Sequence, residues 1–326
     1  MNLSAVSAAQ ARPNFRFSQH LNEIGLLGVI MLLYILFGAM AHGFFSFENQ
    51  MNILRDASTI GIAAWGATMI IIAGEIDVSV GPMVAFLSVI FAYLLRFQVP
   101  LAAAAGLALI LGAALGSVAG ALRALFNVPS FIATLGLWSA LRGLALFMSN
   151  ALPITFDESD FLDRLGDNVL GVPCSALVML VLFFVFLFVS RKTAYGRSTF
   201  AIGGNAHAAS LCGIDVRRIR MTLFAVAGVL AGISGLLLTA RLGSGNAGAA
   251  SGLEFDVIAA VVVGGTSLSG GRGSMTGTLL GVLVITLIGN GLVLMGVNPF
   301  FQQVVRGFII VIAVLMNIGL GKRGSR

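Results

Sequence analysis

Charge is the scarcest resource in this sequence: only 10% of its 326 residues are Asp, Glu, Lys or Arg. A soluble globule carries roughly 25%, because its surface must be wetted. Too few charges remain to cover a water-facing surface, so the apolar surplus (58% of residues) must face lipid. The two cysteines, Cys174 and Cys212, fall on opposite sides of the topology derived below, which excludes a disulfide between them. The three histidines, His20, His42 and His207, lie far apart with no ligand spacing, so no metal site is expected. No G-x-x-x-x-G-K-[ST] loop occurs, and Gly321-Lys322-Arg323 lacks both the upstream glycine and the hydroxyl residue, so the chain cannot hold ATP by a P-loop. Gly243 to Gly248 fits G-x-G-x-x-G, but it follows a membrane-type run instead of a strand and reads as a chance match. No nucleophile–base pair can be assembled either, which disfavours a membrane-embedded enzyme and leaves no catalytic residue to name.

Long apolar runs are what the sequence does contain. A spanning helix takes roughly 20 mostly apolar residues. The pattern predicts an all-α polytopic protein of about ten spans, near 22–42, 57–73, 80–95, 101–122, 130–149, 174–190, 221–241, 255–268, 275–296 and 301–319. Ala39-Met40-Ala41 looks faintly like a signal-peptidase site, but the preceding run is too long for a signal peptide, so an uncleaved first helix is expected.

Basic residues orient the spans. Segment 191–220 holds Arg191, Lys192, Arg197, Arg217, Arg218 and Arg220 against the single acid Asp215, and is assigned to the cytoplasm. Segment 150–173 holds Asp157, Glu158, Asp160, Asp163 and Asp167 with only Arg164, and is assigned outside. Both termini then fall inside. Arg55, Arg96, Arg164 and Arg241 lie outside, Arg142 and Arg306 lie within spans, and the other 13 of the 19 basic residues lie inside. The net charge of +6 is explained by this orientation, with no nucleic acid as partner. The expected organisation is a cytoplasmic segment 1–23, a transmembrane domain 24–320 and a cytoplasmic tail 321–326.

Two stretches interrupt the helical pattern. Residues 73–82 read Ala-Gly-Glu-Ile-Asp-Val-Ser-Val-Gly-Pro, and 264–277 carry six glycines among Thr266, Ser267, Ser269 and Arg272. Such density stops helices, and at membrane depth it is tolerated only when enclosed by protein or lining a wet cavity. The stretches align without gaps, Gly74 on Gly270 and Gly81 on Gly277, which fits an old duplication or chance among small residues. Glu75 and Asp77 read either as solvated turn carboxylates, as a cap for a helix starting near Ser79, or as an ion-binding pair. Arg142 and Arg306 either meet substrate, pair with an acid such as Glu254 or Asp256, or snorkel to the interface. Glycines near four-residue spacing, at 106, 112, 116 and 120 and at 228, 232 and 235, indicate close helix packing. Gly203 to Ile214 reads as a short helix with Asn205 as N-cap, lying across the inner face and suited to docking a partner.

Four motifs together resemble a known family. Ala73 to Gly81 resembles the GGIDLSVG-type signature of ribose-type ABC sugar permeases. Asn127 to Gly136 is similar to the next common motif of that family. Gly196-Arg197 with Ala201 to Asn205 and Ala208-Ala209 is similar to its ATPase-contacting loop, and Ile258 to Ser274 to a further motif. They occur in the family's order and cover nearly all of the chain after residue 24. Two departures stand out: Glu75, where the family more often has glycine, and Ser210-Leu211-Cys212 in place of Arg-Leu-Ser.

The resemblance implies a type II-like ABC importer permease of a bacterial inner (plasma) membrane. Such a subunit takes a small pentose- or hexose-class sugar from a periplasmic binding protein received at loops 150–173 and 242–255. It pairs with a second permease copy and works with cytoplasmic ATPase subunits, which would hold the ATP-Mg; no cofactor is expected in this chain. Gly203, Gly204, Asn205, Ala208, Ala209 and Gly213 become the candidate ATPase-coupling residues. Glu75, Asp77, Ser79, Arg142, Thr266, Ser267 and Ser269 become pathway or gate candidates. The competing reading is an ion-coupled secondary transporter using Glu75 and Asp77.

Overall fold

The computed structural model describes residues 15–156, 165–169 and 171–323, with side chains described within those ranges from 22 to 312 and at 314 and 315. Helices α1 (Phe15–Met40), α2 (Phe47–Ile72), α3 (Val80–Arg96), α4 (Leu101–Phe126) and α5 (Ser130–Ser149) come first. After a loop follow α6 (Cys174–Lys192), α7 (Ala194–Gly204), α8 (Ala206–Leu211) and α9 (Val216–Leu242). The chain ends with α10 (Leu253–Val263), α11 (Met275–Leu294) and α12 (Pro299–Arg323). Among the described residues, α1 from Asn22, α4, α5, α6, α9 and α11 are the six helices long and apolar enough to cross a membrane. α3 and the first part of α12 are shorter apolar helices.

The sequence-derived boundaries differ where polar residues are satisfied inside the protein. α2 begins at Phe47, not near 57, because Ser46 caps it by accepting the Asn49 N–H. The polar residues of its first turns are used internally: Asn49 and Asn290 exchange amide hydrogen bonds of 3.1 and 2.8 Å. The expected span 255–268 contracts to the 11-residue α10, which at 1.5 Å per residue covers only about 16 Å. α2, α3 and α10 are largely buried among the other helices, whereas α1, α6 and α12 expose Ile35, Phe184 and Phe308. The short or polar helices are thus shielded by the long apolar ones.

Glycine sets the tightest packing. α4 and α9 lie against each other along Gly112, Gly116 and Gly120; a Cβ on Gly228 would sit 2.0 Å from the Gly112 carbonyl oxygen, and one on Gly116 2.1 Å from that of Phe224. Gly106 is the exception, since a Cβ there meets nothing within 4 Å.

One face of the bundle gathers the turns 73–79, 123–129, 193–215 and 264–274. Asn22 of α1 joins it by donating to the Gly264 carbonyl at 3.2 Å. On the far face, β1 (Ile154–Thr155) pairs antiparallel with β2 (Ser244–Gly245), tying the loop after α5 to the loop after α9. This is where the G-x-G-x-x-G match lies. Its Gly245 packs on Ser88 and Ala92, so the glycine serves a close backbone approach. Cys174 and Cys212 are free. Asp157, Glu158, Asp160, Asp163 and Arg164, along with Arg12 and Arg326, lie outside the described residues. So do most of segment 1–23 and the tail beyond Arg323.

The α4–α9 contact gives a direct test. Gly228→Val is expected to destabilise the chain by up to about 3 kcal/mol, as overpacking against rigid backbone does. Gly106→Ala should be neutral or stabilise by roughly 0.5–1 kcal/mol. Thermal unfolding of the purified chain in detergent reads both.

Candidate functional site

The site on the first face is built from two helix ends that use the same device. At the end of α2, Gly74 takes φ +79°, its N–H donates to Ile71 O at 2.9 Å and the Glu75 N–H to Ile70 O at 3.1 Å. At the end of α10, Gly265 takes φ +88°, donating to Val262 O at 2.9 Å while Thr266 N–H donates to Val261 O at 3.2 Å. Both are Schellman ends, which require a left-handed residue and so favour glycine. The structural counterpart of Gly74 is therefore Gly265, five residues from the Gly270 of the ungapped alignment. α10 and α11 form a packed hairpin, whereas α2 and α3 make little contact with each other and both lie against α9 and α10.

Gly270 instead touches Gly74 directly. Its φ is +80°, and a Cβ there would lie 2.9 Å from Gly74 Cα and 2.9 Å from the Gly203 carbonyl oxygen. The Gly271 N–H donates to Ile72 O at 2.8 Å, and a Cβ on Gly203 would sit 1.8 Å from that same oxygen. Three segments distant in sequence thus meet backbone to backbone. Gly204 lies at the rim of this junction, with no atom within 4 Å of a built Cβ.

Beyond the junction the coupling candidates form two short helices. Thr193 caps α7 by accepting the Gly196 N–H at 3.1 Å. Asn205 caps α8 by accepting the Ala208 N–H at 3.0 Å, as its sequence position predicts. Ala209 is buried, whereas Asn205, Ala208, Leu211 and Gly213 are exposed. α8 therefore presents an outer surface while resting on the bundle.

The linker 75–79 is held by its neighbours. Glu75 is 3% exposed and receives the Arg123 Nε at 2.8 Å; the Arg220 Nε lies 2.7 Å away, an ion-pair contact off line for a hydrogen bond. The solvated-turn reading of Glu75 and Asp77 is thus incorrect, because both are buried, Glu75 against two guanidinium groups and Asp77 against Ser79. Asp77 Oδ1 accepts from the Ser79 N–H at 2.8 Å and the Ser79 hydroxyl at 2.6 Å, securing the start of α3. Ile76 and Val78 donate their N–H groups to Ser130 and Thr134 of α5 at 3.1 and 3.3 Å. The second family-like motif therefore clamps the first. In the 264–274 turn, Thr266 is buried, Ser267 accepts the Gly270 N–H at 2.9 Å and Ser269 is exposed at the tip.

Arg142 is not part of this cluster. It lies toward the far face and donates to Ala247 O at 2.7 Å, so a carbonyl and not an acid is its partner. Arg306 does pair with Asp256, at 2.7 Å, and Glu254 accepts from the Trp138 indole at 2.8 Å. Sequence reasoning missed Arg123, Arg220, Ser130 and Thr134. A carboxylate between apolar helices was the one signal that could have prompted a search for the arginines.

A family model described as branched-chain amino acid transport system / permease component matches residues 49–314. The chain belongs to this permease family. It is 70% identical over 309 residues to the probable ABC transporter permease protein YphD of Escherichia coli K12, covering 95% of this chain and 93% of that protein. It is 39% identical over 307 residues to the ribose import permease protein RbsC of Bacillus subtilis 168, covering 92% and 94%. It is 34% identical over 316 residues to the L-arabinose ABC transporter permease protein AraH of Azospirillum brasilense, covering 96% and 92%. No solved structure matches the chain. It is a multi-pass protein of a bacterial inner membrane and a transport subunit.

The ion pair yields a ranked prediction. Removing one partner of a fully buried pair costs about 3–5 kcal/mol; the arginines here keep 23% and 15% exposure, which reduces it. Glu75→Gln leaves two guanidinium groups facing each other, whereas Arg123→Gln or Arg220→Gln leaves a one-to-one pair. Glu75→Gln should therefore lower the unfolding midpoint more than either arginine variant. An equal or smaller effect in differential scanning fluorimetry would contradict the clamp.

Proposed function

We propose that this chain is the membrane-spanning subunit of an ATP-driven importer for a small sugar of the pentose or hexose class. The junction of Gly203 with Ile72 and Gly270–Gly271 carries the reading. It connects the first of the short surface helices directly to both glycine-interrupted turns, so a displacement of α7 must move the ends of α2 and α10 together. ABC ATPase subunits, which hold ATP-Mg, dock on α7 and α8. The face carrying α7 and α8 is cytoplasmic, with both termini on that side, 1–23 and 321–326 flanking a membrane domain 24–320. A periplasmic binding protein delivers sugar to the far face, and a second permease copy completes the translocation path. The sugar class follows the names of the ribose and arabinose relatives. The chain itself carries out no catalysis.

Within this reading, Glu75 holds α4 and α9 to the coupling turn and Asp77 orients α3. Neither is required as a proton or ion carrier in this reading, since the energy comes from ATP. Gly203, Gly270 and Gly271 transmit; Thr266, Ser267 and Ser269 shape the turn they act through.

The test uses the assembled importer in proteoliposomes. Gly203→Val should lower ATP-dependent sugar uptake by about tenfold or more, the size of a typical coupling free energy, while ATP hydrolysis continues. Gly204→Ala should transport as wild type. Uptake by the chain without any ATPase would overturn the reading.

A further inference from the structure

A cleft of about 580 Å³ opens between α2, α9, α10, α11 and α12, toward the face opposite the glycine junction. This is within the size range of small-molecule sites. It lies inside one copy of the chain. Two ion pairs line it: Arg241 with Asp56 at 2.6 Å, and Arg306 with Asp256 at 2.7 Å. Leucine, isoleucine and valine side chains make much of the rest of its wall, with the amides of Asn246, Asn290 and Gln302 among them.

Thr286 of α11 also lines the cleft, and it is only 4% exposed. Its hydroxyl finds no hydrogen-bond partner among the described residues. A buried hydroxyl without a partner is destabilising, and the cleft it lines is where a partner would come from. Two carboxylates, two guanidinium groups and a spare hydroxyl around an apolar wall offer dense acceptors and donors with no net charge. That combination suits a neutral polyhydroxylated molecule and disfavours an amino acid, whose two charges would compete with pairs already formed.

We propose that this cleft is a sugar-binding site within the single permease chain, where hydroxyls of a pentose or hexose bridge the Asp56–Arg241 and Asp256–Arg306 pairs and satisfy Thr286. The proposal rests on the sugar-import reading above. The sugar's C–H face lies on the apolar wall, and its hydroxyls take the charged groups without displacing either pair. A glycosyl lipid headgroup offers the same chemistry, so the two sources have to be separated.

The whole chain is placed in phospholipid nanodiscs free of glycosidic detergent and exposed to D-ribose, L-arabinose, D-allose and D-xylose. Saturation-transfer NMR reads binding. Wild type should give signal for at least one free sugar. A Cβ on Gly289, which lines the cleft, meets nothing within 4 Å, so Gly289→Phe fills the space without a clash at its base. It should reduce binding by about tenfold or more, one lost factor of ten being about 1.4 kcal/mol. Thr286→Val should weaken binding by about tenfold, as loss of one buried hydrogen bond does, and Thr286→Ser should retain it. Melting temperatures of all three variants confirm folding. The proposal is overturned if wild type binds none of these sugars, if Gly289→Phe binds as wild type, or if only a galactolipid added to the disc is held. Wild-type chain that supports ATP-dependent uptake yet binds no sugar would reject the cleft alone and leave the importer reading standing.

Discussion

A single backbone oxygen organises this protein. Ile72 O, one of the last carbonyls of α2 and not used in closing its final turn, accepts the N–H of Gly271 at 2.8 Å and lies so near Gly203 that no side chain fits there. Three segments far apart in sequence therefore meet without any side chain between them. Main-chain contacts have no rotamers to absorb a shift, and close-packed interiors transmit strain instead of dissipating it. Whatever moves α7 must move the ends of α2 and α10 with it. Glycine is what permits so close an approach of backbone to backbone, here as along the α4–α9 seam.

Glu75 extends that junction to the rest of the bundle. Arg123 is in the last turn of α4 and Arg220 in the first turn of α9, the two helices that share the glycine seam. One carboxylate thus fixes both helices to the turn, and the seam carries the connection toward the far face. An isolated carboxylate here would be costly, and two positive groups with no acid would repel each other. Each element is tolerable only with the others present.

Much of this was legible in the residues. The apolar runs gave the helices of the bundle, Asn205 its cap and Gly112, Gly116 and Gly228 their close packing, because each depends on local chemistry. The about ten spans were less well founded: α10 is too short to cross alone and α2 too polar by composition. Hydropathy averages a window, whereas Asn49 is satisfied by Asn290, some 240 positions away. The same limit hid the clamp. Arg123 and Arg220 read as topology-setting charges because nothing in their neighbourhoods points to Glu75. Gly74 and Gly270 aligned by composition and do touch, yet Gly265 is the residue that repeats the role of Gly74, since position in a cap is defined by hydrogen bonds and not by register.

The two faces of the molecule are held in physically different ways, and the difference bears on transport. The first face is joined by main-chain contacts and a buried ion pair, which resist rearrangement. The far face is joined by Arg306 to Asp256, Arg241 to Asp56, Arg142 to one carbonyl, and a two-residue strand pair. Those ion pairs keep about a third of each arginine exposed, so hydroxyl groups or water can replace part of each contact at little cost. A stiff face suits a subunit driven from outside by another protein's ATP, because a soft one would absorb the displacement. A face of exchangeable polar contacts suits the reception and release of a neutral, hydroxyl-rich cargo. The alternating states of such a carrier are then set at the stiff end and read out at the soft one.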